Sequence, residues 1–450
     1  MTDFEPPRFG TDGIRGPAGE PPLDPPTLRR IGAALGIWLQ RTGPDPKRVL
    51  IANDGRESAL WILEALAQGL SSVDAIVSDL GLATTPMLAH LTRSGPFVAG
   101  VMISASHNPA RDNGIKLFDA DGRKLADDAE REIELLTTRV SFGTLTNPRS
   151  RDASSTVDEY LEYLGNEFGH LDLDGATVVV DAANGGSSIV APAVLRALGA
   201  DVVPIACEPD GFNINDGCGA LHAESIRDSV RHAAAVLGIC LDGDGDRSIF
   251  VDDRGGLRDG DSILATLAPI LRDRGELPGD TVVTTIMSNL GLRRHLGRLG
   301  IAVETTPVGD RSVAARRRVG GFRLGAEPSG HVLFERDGHL IGDGLYTALT
   351  LLSLPGLVER GAAAVFDDFE RFPQRLVNVP VLRQPPLADV PRIADRVREL
   401  ERQLGDDSRV ILRYSGTEPL CRVMVEAPSA ELVDRVTAEL AELVRAELGA

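Results

Sequence analysis

One local pattern occurs three times along this chain and restricts its fold more than any other feature. Each copy is a short β-branched run, a turn, an amphipathic stretch and, after a small residue, a second β-branched run. The copies are RVLIANDG with DAIVSDLG (Arg48 to Gly81), TVVVDAANGG with GADVVPIA (Thr177 to Ala206), and TVVTTIMSN with GIAVETTPVG (Thr281 to Gly309). Val and Ile runs without polar alternation suit strands covered on both faces, and the 3.6-residue period between them suits crossover helices. The pattern predicts three similar α/β units. After Phe372 and Pro373 it gives way to VNVPVLRQPPL, a helical stretch near 388–404, RVILRYSG, CRVMVEA and a terminal helix near 430–447. That reads as a smaller α+β unit with antiparallel strands.

Boundaries follow from composition. The stretch SFGTLTNPRSRDASST (Ser141 to Thr156) reads as a linker, and the acidic turn VDDRGGLRDGD (Val251 to Asp261) precedes the third unit. The expected units are 1–150, 151–253, 254–371 and 372–450, in keeping with ~100–200 residues per domain for a chain of 450. A formal charge of −19 opposes nonspecific binding to nucleic acid or to an acidic membrane, so an anionic ligand would need a locally basic pocket. Four cysteines without CxxC spacing signal neither a zinc site nor a disulfide framework, which fits a reducing cytoplasm. The N-terminus MTDFEPP has no basic-then-apolar signal region, and no apolar run reaches the ~18 residues of a membrane span. The expectation is a cytoplasmic protein, neither exported nor anchored.

Several motifs punctuate this framework. SASHNP (Ser104 to Pro109) follows the buried-strand signal FVAGVMI, which places Ser106 just past a strand end, where α/β proteins put ligands. A serine hydroxyl needs an adjacent base or a metal to carry a phosphoryl group, and the plain alternative is a Ser/Asn/Pro turn. In DGDGDR, the carboxylates of Asp242, Asp244 and Asp246 are spaced to converge on one cation, and hard oxygen donors select magnesium or calcium. An EF-hand loop would need Gly at its sixth position and flanking helices, whereas Arg247 stands there between two strand signals. Three carboxylates this close repel one another unless neutralised, which weakens the reading as a bare acidic turn. Arg247 itself offers a planar fork to a phosphate. GAEPSGH places Glu327 and Ser329 to hold vicinal hydroxyls and His331 to move a proton, or else forms a turn between strands. RYSGTEP with Arg422 has the makings of an anion nest, and FGTDGIRG adds Arg15 on a glycine-rich turn.

FGTDGIRG, VMISASHNPARDNGIKLF, PDGFNINDGCG, DGDGDR, IMSNLGL, TPVGDR, GAEPSGH and RYSGTEPLCRVMVE, in this order over nearly the whole chain, closely resemble the phosphohexomutases, and within them the bacterial phosphoglucosamine mutase branch. The resemblance implies four domains around a central cleft, three of them α/β and the last a smaller α+β one. It implies that Ser106 is a phosphoserine, and that Asp242, Asp244 and Asp246 hold Mg²⁺ together with an oxygen of that phosphoserine. Glu327 and Ser329 match its sugar-selecting loop; Arg413, Ser415, Gly416, Thr417 and Arg422 match its phosphate-holding loop. Arg15, His107, Lys116 and His331 resemble the polar surround used for proton transfer and charge stabilisation. Pro328 stands where that branch usually has glutamine, Ser312 where tyrosine is common and Ile341 where threonine is typical.

The implied reaction interconverts glucosamine 6-phosphate and glucosamine 1-phosphate through a 1,6-bisphosphosugar, feeding amino-sugar nucleotide synthesis. The enzyme would be a monomer or homodimer whose partner is the phosphosugar. The nearest rival is the same chemistry on mannose or glucose phosphates. A non-catalytic phosphosugar sensor would have no need of Ser106 and the aspartates, and a magnesium-dependent phosphatase no need of a second phosphate loop.

Overall fold

The first apolar run of each pair becomes a buried strand (Arg48–Asn53, Thr177–Asp181, Thr281–Thr285), whereas the second runs Asp201–Ile205 and Ala302–Thr306 lie at sheet edges and stay partly exposed instead of covered on both faces. In each of the first three units these strands build a mixed sheet on one plan. The computed structural model describes residues 4–10, 12–42, 45–140, 150–336, 339–366, 369–415 and 419–449. In the first unit β1 (Ile14–Pro17), β2 (Arg48–Asn53), β3 (Ile76–Leu82), β4 (Ala99–Ile103), β5 (Asp112–Asp119) and β6 (Ser150–Asp152) lie in the order β1-β5-β4-β2-β3-β6. The second holds β7 (Thr177–Asp181), β8 (Asp201–Ile205), β9 (Leu237–Leu241), β10 (Ser248–Asp252) and β11 (Leu257–Arg258), ordered β11-β10-β9-β7-β8. The third holds β12 (Thr281–Thr285), β13 (Ala302–Thr306), β14 (Leu324–Ala326), β15 (Val332–Arg336) and β16 (His339–Gly342), ordered β13-β12-β14-β15-β16.

Each sheet contains a parallel trio, β3-β2-β4, β8-β7-β9 or β13-β12-β14. The last strand of each trio then reverses into an antiparallel neighbour, β5, β10 or β15. These three equivalent reversals carry SASHNP, DGDGDR and EPSGH. In the fourth unit β17 (Gln374–Pro380), β18 (Arg409–Tyr414) and β19 (Leu420–Glu426) form an antiparallel sheet ordered β17-β19-β18, and the fourth motif begins at the end of β18 and leads in sequence to β19.

Ser150–Asp152 sits in the stretch expected to be linker, yet it adds a strand in parallel to Val77–Asp79. The edge of β3 offers unpaired backbone groups that any extended segment can satisfy, so pairing here needs no β-branched side chains.

One apolar cluster runs without a break through the first three units, from Leu50 and Met102 through Val180 and Leu241 to Leu324 and Leu349. The other face of the first sheet packs Ile51 and Val101 beneath the helices Pro25–Thr42 and Ala59–Ser71. The fourth unit has a core of its own, including Val423, Val425, Val436 and Leu440. Among the described residues no helix is long and apolar enough to cross a membrane.

Candidate active site

The apolar strand β4 delivers two serines with different tasks. Ser104 Oγ donates to Asp54 Oδ2 at 2.6 Å and accepts the Ser106 N–H at 2.8 Å, so it supports the loop. Ser106 has a left-handed backbone, φ 53°, and its buried Oγ donates to Asp242 Oδ2 at 2.7 Å while standing 3.2 Å from His107 Nδ1.

The reversal from β9 to β10 brings Asp242, Asp244 and Asp246 together, with one oxygen of each within 4.8 Å of the others and all three residues buried. It packs directly on the serine loop: a Cβ added to Gly243 would lie 2.6 Å from the Ser106 carbonyl oxygen. Asp244 is anchored by the Thr85 N–H at 2.8 Å to its main-chain oxygen, by the Thr85 hydroxyl to its side chain, and by Lys116 Nζ at 2.7 Å from Oδ2. Thr85 is presented by the helix Thr85–Ser94, whose N-terminus Thr84 caps by accepting the Met87 N–H. Asp244 Oδ1 and Asp246 Oδ1 are buried without a hydrogen-bond partner. An all-oxygen donor set with two unsatisfied carboxylate oxygens fits a hard divalent cation.

The electrostatics follow from crowding. Burial, then Asp246 and Asp244, push Asp242 well above the usual carboxylate range. Burial also opposes ionisation of Asp244, but the Lys116 ammonium outweighs it and holds that carboxyl below its ordinary value. Lys116 is buried, yet Asp12, Asp244 and Asp246 overcome the desolvation and keep it cationic. Burial, Arg247 and Arg15 bring His107 down to about 4.

Around this centre lies a charge network that reading the sequence did not assemble. Asp12 accepts from Arg15, stands 3.2 Å from Lys116 Nζ and pairs with Lys124 at 2.5 Å; Lys124 also reaches Asp310 of the third unit at 2.6 Å. Asp310 in turn lies within electrostatic reach of the buried His331. Arg247 stands 3.7 Å from Asp246 and 4.0 Å from Asp242. Glu327 is buried and accepts the Gly309 N–H at 3.0 Å, whereas Ser329 is exposed.

On the fourth unit Arg413 and Arg422 are register partners across β18 and β19, and Arg422 Nη2 lies 3.4 Å from Ser415 Oγ. Burial and the neighbouring Arg422 lower the Arg413 pKa. The facing register sets two guanidiniums side by side on this sheet. Gly416 and Thr417 lie outside the described residues.

Models of four consecutive domains match the chain in order. They are described as phosphoglucomutase/phosphomannomutase alpha/beta/alpha domain I over residues 6–144, domain II over 158–256, domain III over 259–372, and the C-terminal domain over 376–443. The chain belongs to the phosphoglucomutase/phosphomannomutase family. Curated relatives include the phosphoglucosamine mutases of Solibacter usitatus, 45% identical with 98% of this chain and 99% of that one covered, and of Saccharopolyspora erythraea, 44% identical with 97% and 99% covered. The fold is shared with a Burkholderia thailandensis member of the same family, at a TM-score of 0.80 and 24% identity over 98% of this chain and 99% of that one. It is also shared with Aspergillus fumigatus N-acetylphosphoglucosamine mutase, solved in complex with GlcNAc-6P and magnesium, at a TM-score of 0.65 and 18% identity over 98% and 96%.

Two members of the network, Asp12 and Asp310, sit inside motifs quoted for the family, FGTDGIRG and TPVGDR. Their signal was present, but Lys124, which ties them together, lies 112 residues from Asp12 and 186 from Asp310 along the chain.

Proposed function

We propose that this chain interconverts glucosamine 6-phosphate and glucosamine 1-phosphate, with Ser106 as the phosphoryl carrier. The observation that carries this reading is Ser106 Oγ at 2.7 Å from Asp242, inside a cluster of three buried carboxylates. A hydroxyl of the substrate gives up its proton and attacks the phosphorus of phospho-Ser106; the new O–P bond forms, the P–Oγ bond breaks, Ser106 Oγ takes up a proton, and a hexose 1,6-bisphosphate results. That intermediate turns round, and Ser106 Oγ attacks its other phosphate, which restores the phosphoserine and releases the isomeric monophosphate.

Asp242, Asp244 and Asp246, with an oxygen of phospho-Ser106, would hold Mg²⁺, which when bound neutralises charge on the transferring phosphoryl group. Lys116, held cationic, adds positive charge there and is a poor proton acceptor. His107, neutral at pH 7, places Nδ1 3.2 Å from Ser106 Oγ, whose proton is given to Asp242. His331 and Arg15 are assigned to proton movement and charge stabilisation, Arg247 to the substrate. Glu327 and Ser329 are assigned to the sugar hydroxyls, and Arg413, Ser415, Gly416, Thr417 and Arg422 to the phosphate that is not reacting. We take the four units to join near residues 150, 253 and 371, and the enzyme to act in the cytoplasm as a monomer or homodimer.

Turnover measured side by side on glucosamine, glucose and mannose phosphates tests the substrate. Glucosamine phosphate is expected to be best and glucose phosphate slow, because only the group at C2 differs; a higher kcat/KM for mannose 1-phosphate would overturn the assignment. Thorough chelation is expected to abolish turnover and added Mg²⁺ to restore it. Activity that survives chelation would rule out the metal.

A further inference from the structure

The carrier serine is held in a strained conformation by residues outside its own motif. A non-glycine residue at φ 53° persists only where its surroundings over-determine it. Two side chains supply that constraint. Arg56, at the end of the run NDGR, is buried, and its guanidinium donates to the carbonyls of Ser106 at 2.9 Å, Asn108 at 2.8 Å and Asp112 at 2.8 Å, and also to that of Pro109. Its Nε donates to Asp54 Oδ2 at 2.9 Å, the oxygen that also receives Ser104 Oγ, so one carboxylate ties the arginine to the serine loop. From the second unit, Asn215 Nδ2 donates to the same two carbonyls, Ser106 at 2.9 Å and Asn108 at 3.1 Å. Asn215 is itself left-handed, φ 58°, with its main-chain N–H fixed on the Ala183 carbonyl at 2.9 Å.

We propose that Arg56 and Asn215 are positioning residues for the phosphoryl carrier: they grip the Ser106 and Asn108 carbonyls from two units and thereby aim Ser106 Oγ at the aspartate loop. The inference rests on the phosphoserine reading. All four carbonyls that Arg56 grips belong to residues 106–112, so both of its terminal nitrogens are spent on this one loop. Neither residue contacts Arg413 or Arg422 in any hydrogen bond or ion pair among the described residues. The clamp therefore bears on alignment of the transfer and leaves phosphosugar binding alone, and a misplacement of ~1 Å costs about 10²-fold in rate.

The test is Asn215→Gly, since glycine tolerates the left-handed backbone and removes only the two donors, together with Arg56→Lys, which keeps the charge but loses the planar fork. With glucosamine 1-phosphate as substrate and a hexose 1,6-bisphosphate as primer, each variant is expected to lose about 10²-fold in kcat while KM stays within about threefold. Rates are normalised to folded protein by thermal unfolding and to phosphorylated Ser106 by intact mass. Wild-type kcat in both variants, or a loss that vanishes on normalisation, would overturn the clamp. Ser106→Ala run alongside separates the two readings: turnover by that variant would sink the phosphoserine reading itself, whereas an inactive Ser106→Ala beside fully active clamp variants would sink only the clamp.

Discussion

The three-unit body and the fourth unit are joined, and prepared for their tasks, in different ways. A single apolar core passes through the body, so its loops are fixed relative to one another before anything binds. The fourth unit keeps a separate core and meets the third along a polar seam. There the Leu290 N–H donates to Glu426 Oε1 at 2.6 Å, Arg409 reaches the Ser288 carbonyl at 2.6 Å, and the Asn289 side chain exchanges two 3.0 Å hydrogen bonds with the Phe372 main chain. In the body most of the charges around the aspartate loop are matched within the protein, as Lys116, Asp12, Asp244 and Lys124 show, while Asp244 Oδ1 and Asp246 Oδ1 stay without a hydrogen-bond partner. The fourth unit instead sets Arg413 and Arg422 on facing register positions, two like charges side by side. On the function proposed above, the body is preorganised for chemistry and the fourth unit for holding a ligand.

Three experiments press on that contrast. The largest effect is expected from Ser106→Ala, which should lower kcat by at least ~10³-fold in a protein that still folds, because the proposed carrier is lost; the buried hydrogen bond to Asp242 goes with it, so a modest fall in melting temperature is expected. Intact mass of the wild type should show one phosphate mapping to Ser106; a phosphate on Ser104 with an active Ser106→Ala would reverse the roles given to the two serines. Arg422→Ala should act on binding instead, raising KM roughly 10- to 100-fold for both phosphosugars, as the loss of a charge-assisted contact implies, with a smaller change in kcat. An unchanged KM would remove the fourth unit from substrate holding.

The smallest effect concerns the body without any ligand. Asp343 caps the helix Gly344–Leu352 through the N–H groups of Leu345 and Tyr346, accepts the Tyr160 hydroxyl, and is lifted by burial to about 6. Its folded-state pKa lies above its unfolded value, so the stability it contributes is complete below about pH 4 and is lost as the pH rises through about 6. Asp343→Asn keeps an acceptor and cannot ionise. Its unfolding free energy should gain on the wild type by about 3 kcal/mol or less between pH 4 and pH 8, measured by denaturant titration. A constant difference across that range would show that the carboxyl is already ionised at low pH.

How much of this could be read from the residues depended on distance along the chain. The repeated parallel pairs and the antiparallel last unit were legible because periodicity is local, and DGDGDR was legible because its three carboxylates lie within five residues. The choice between Ser104 and Ser106 came from the resemblance; the hydrogen bonds that separate them were not visible in the string. Arg56 is not legible in the sequence, since nothing in NDGR announces that its guanidinium will be buried under another loop. The network from Asp244 to Asp310 joins three units through single side chains, and no pattern of spacing encodes such a meeting. Ser150–Asp152 lacked a strand signal because its pairing is a backbone affair.

The shared position of the three motifs has a consequence for how such a protein can change. A reversal at the end of a parallel trio is a socket whose walls are supplied by the sheet and whose contents are a handful of residues. On the reading above, the first socket holds a nucleophile, the second a cage for a cation and the third a reader of hydroxyl groups. The sockets touch, however: Gly243 packs on the Ser106 carbonyl, and the Gly330 carbonyl accepts the Ser248 N–H at 3.0 Å. A new loop in place of Glu327 to His331 would have to keep that main-chain contact and the glycine beside it if the aspartate loop is to stay seated.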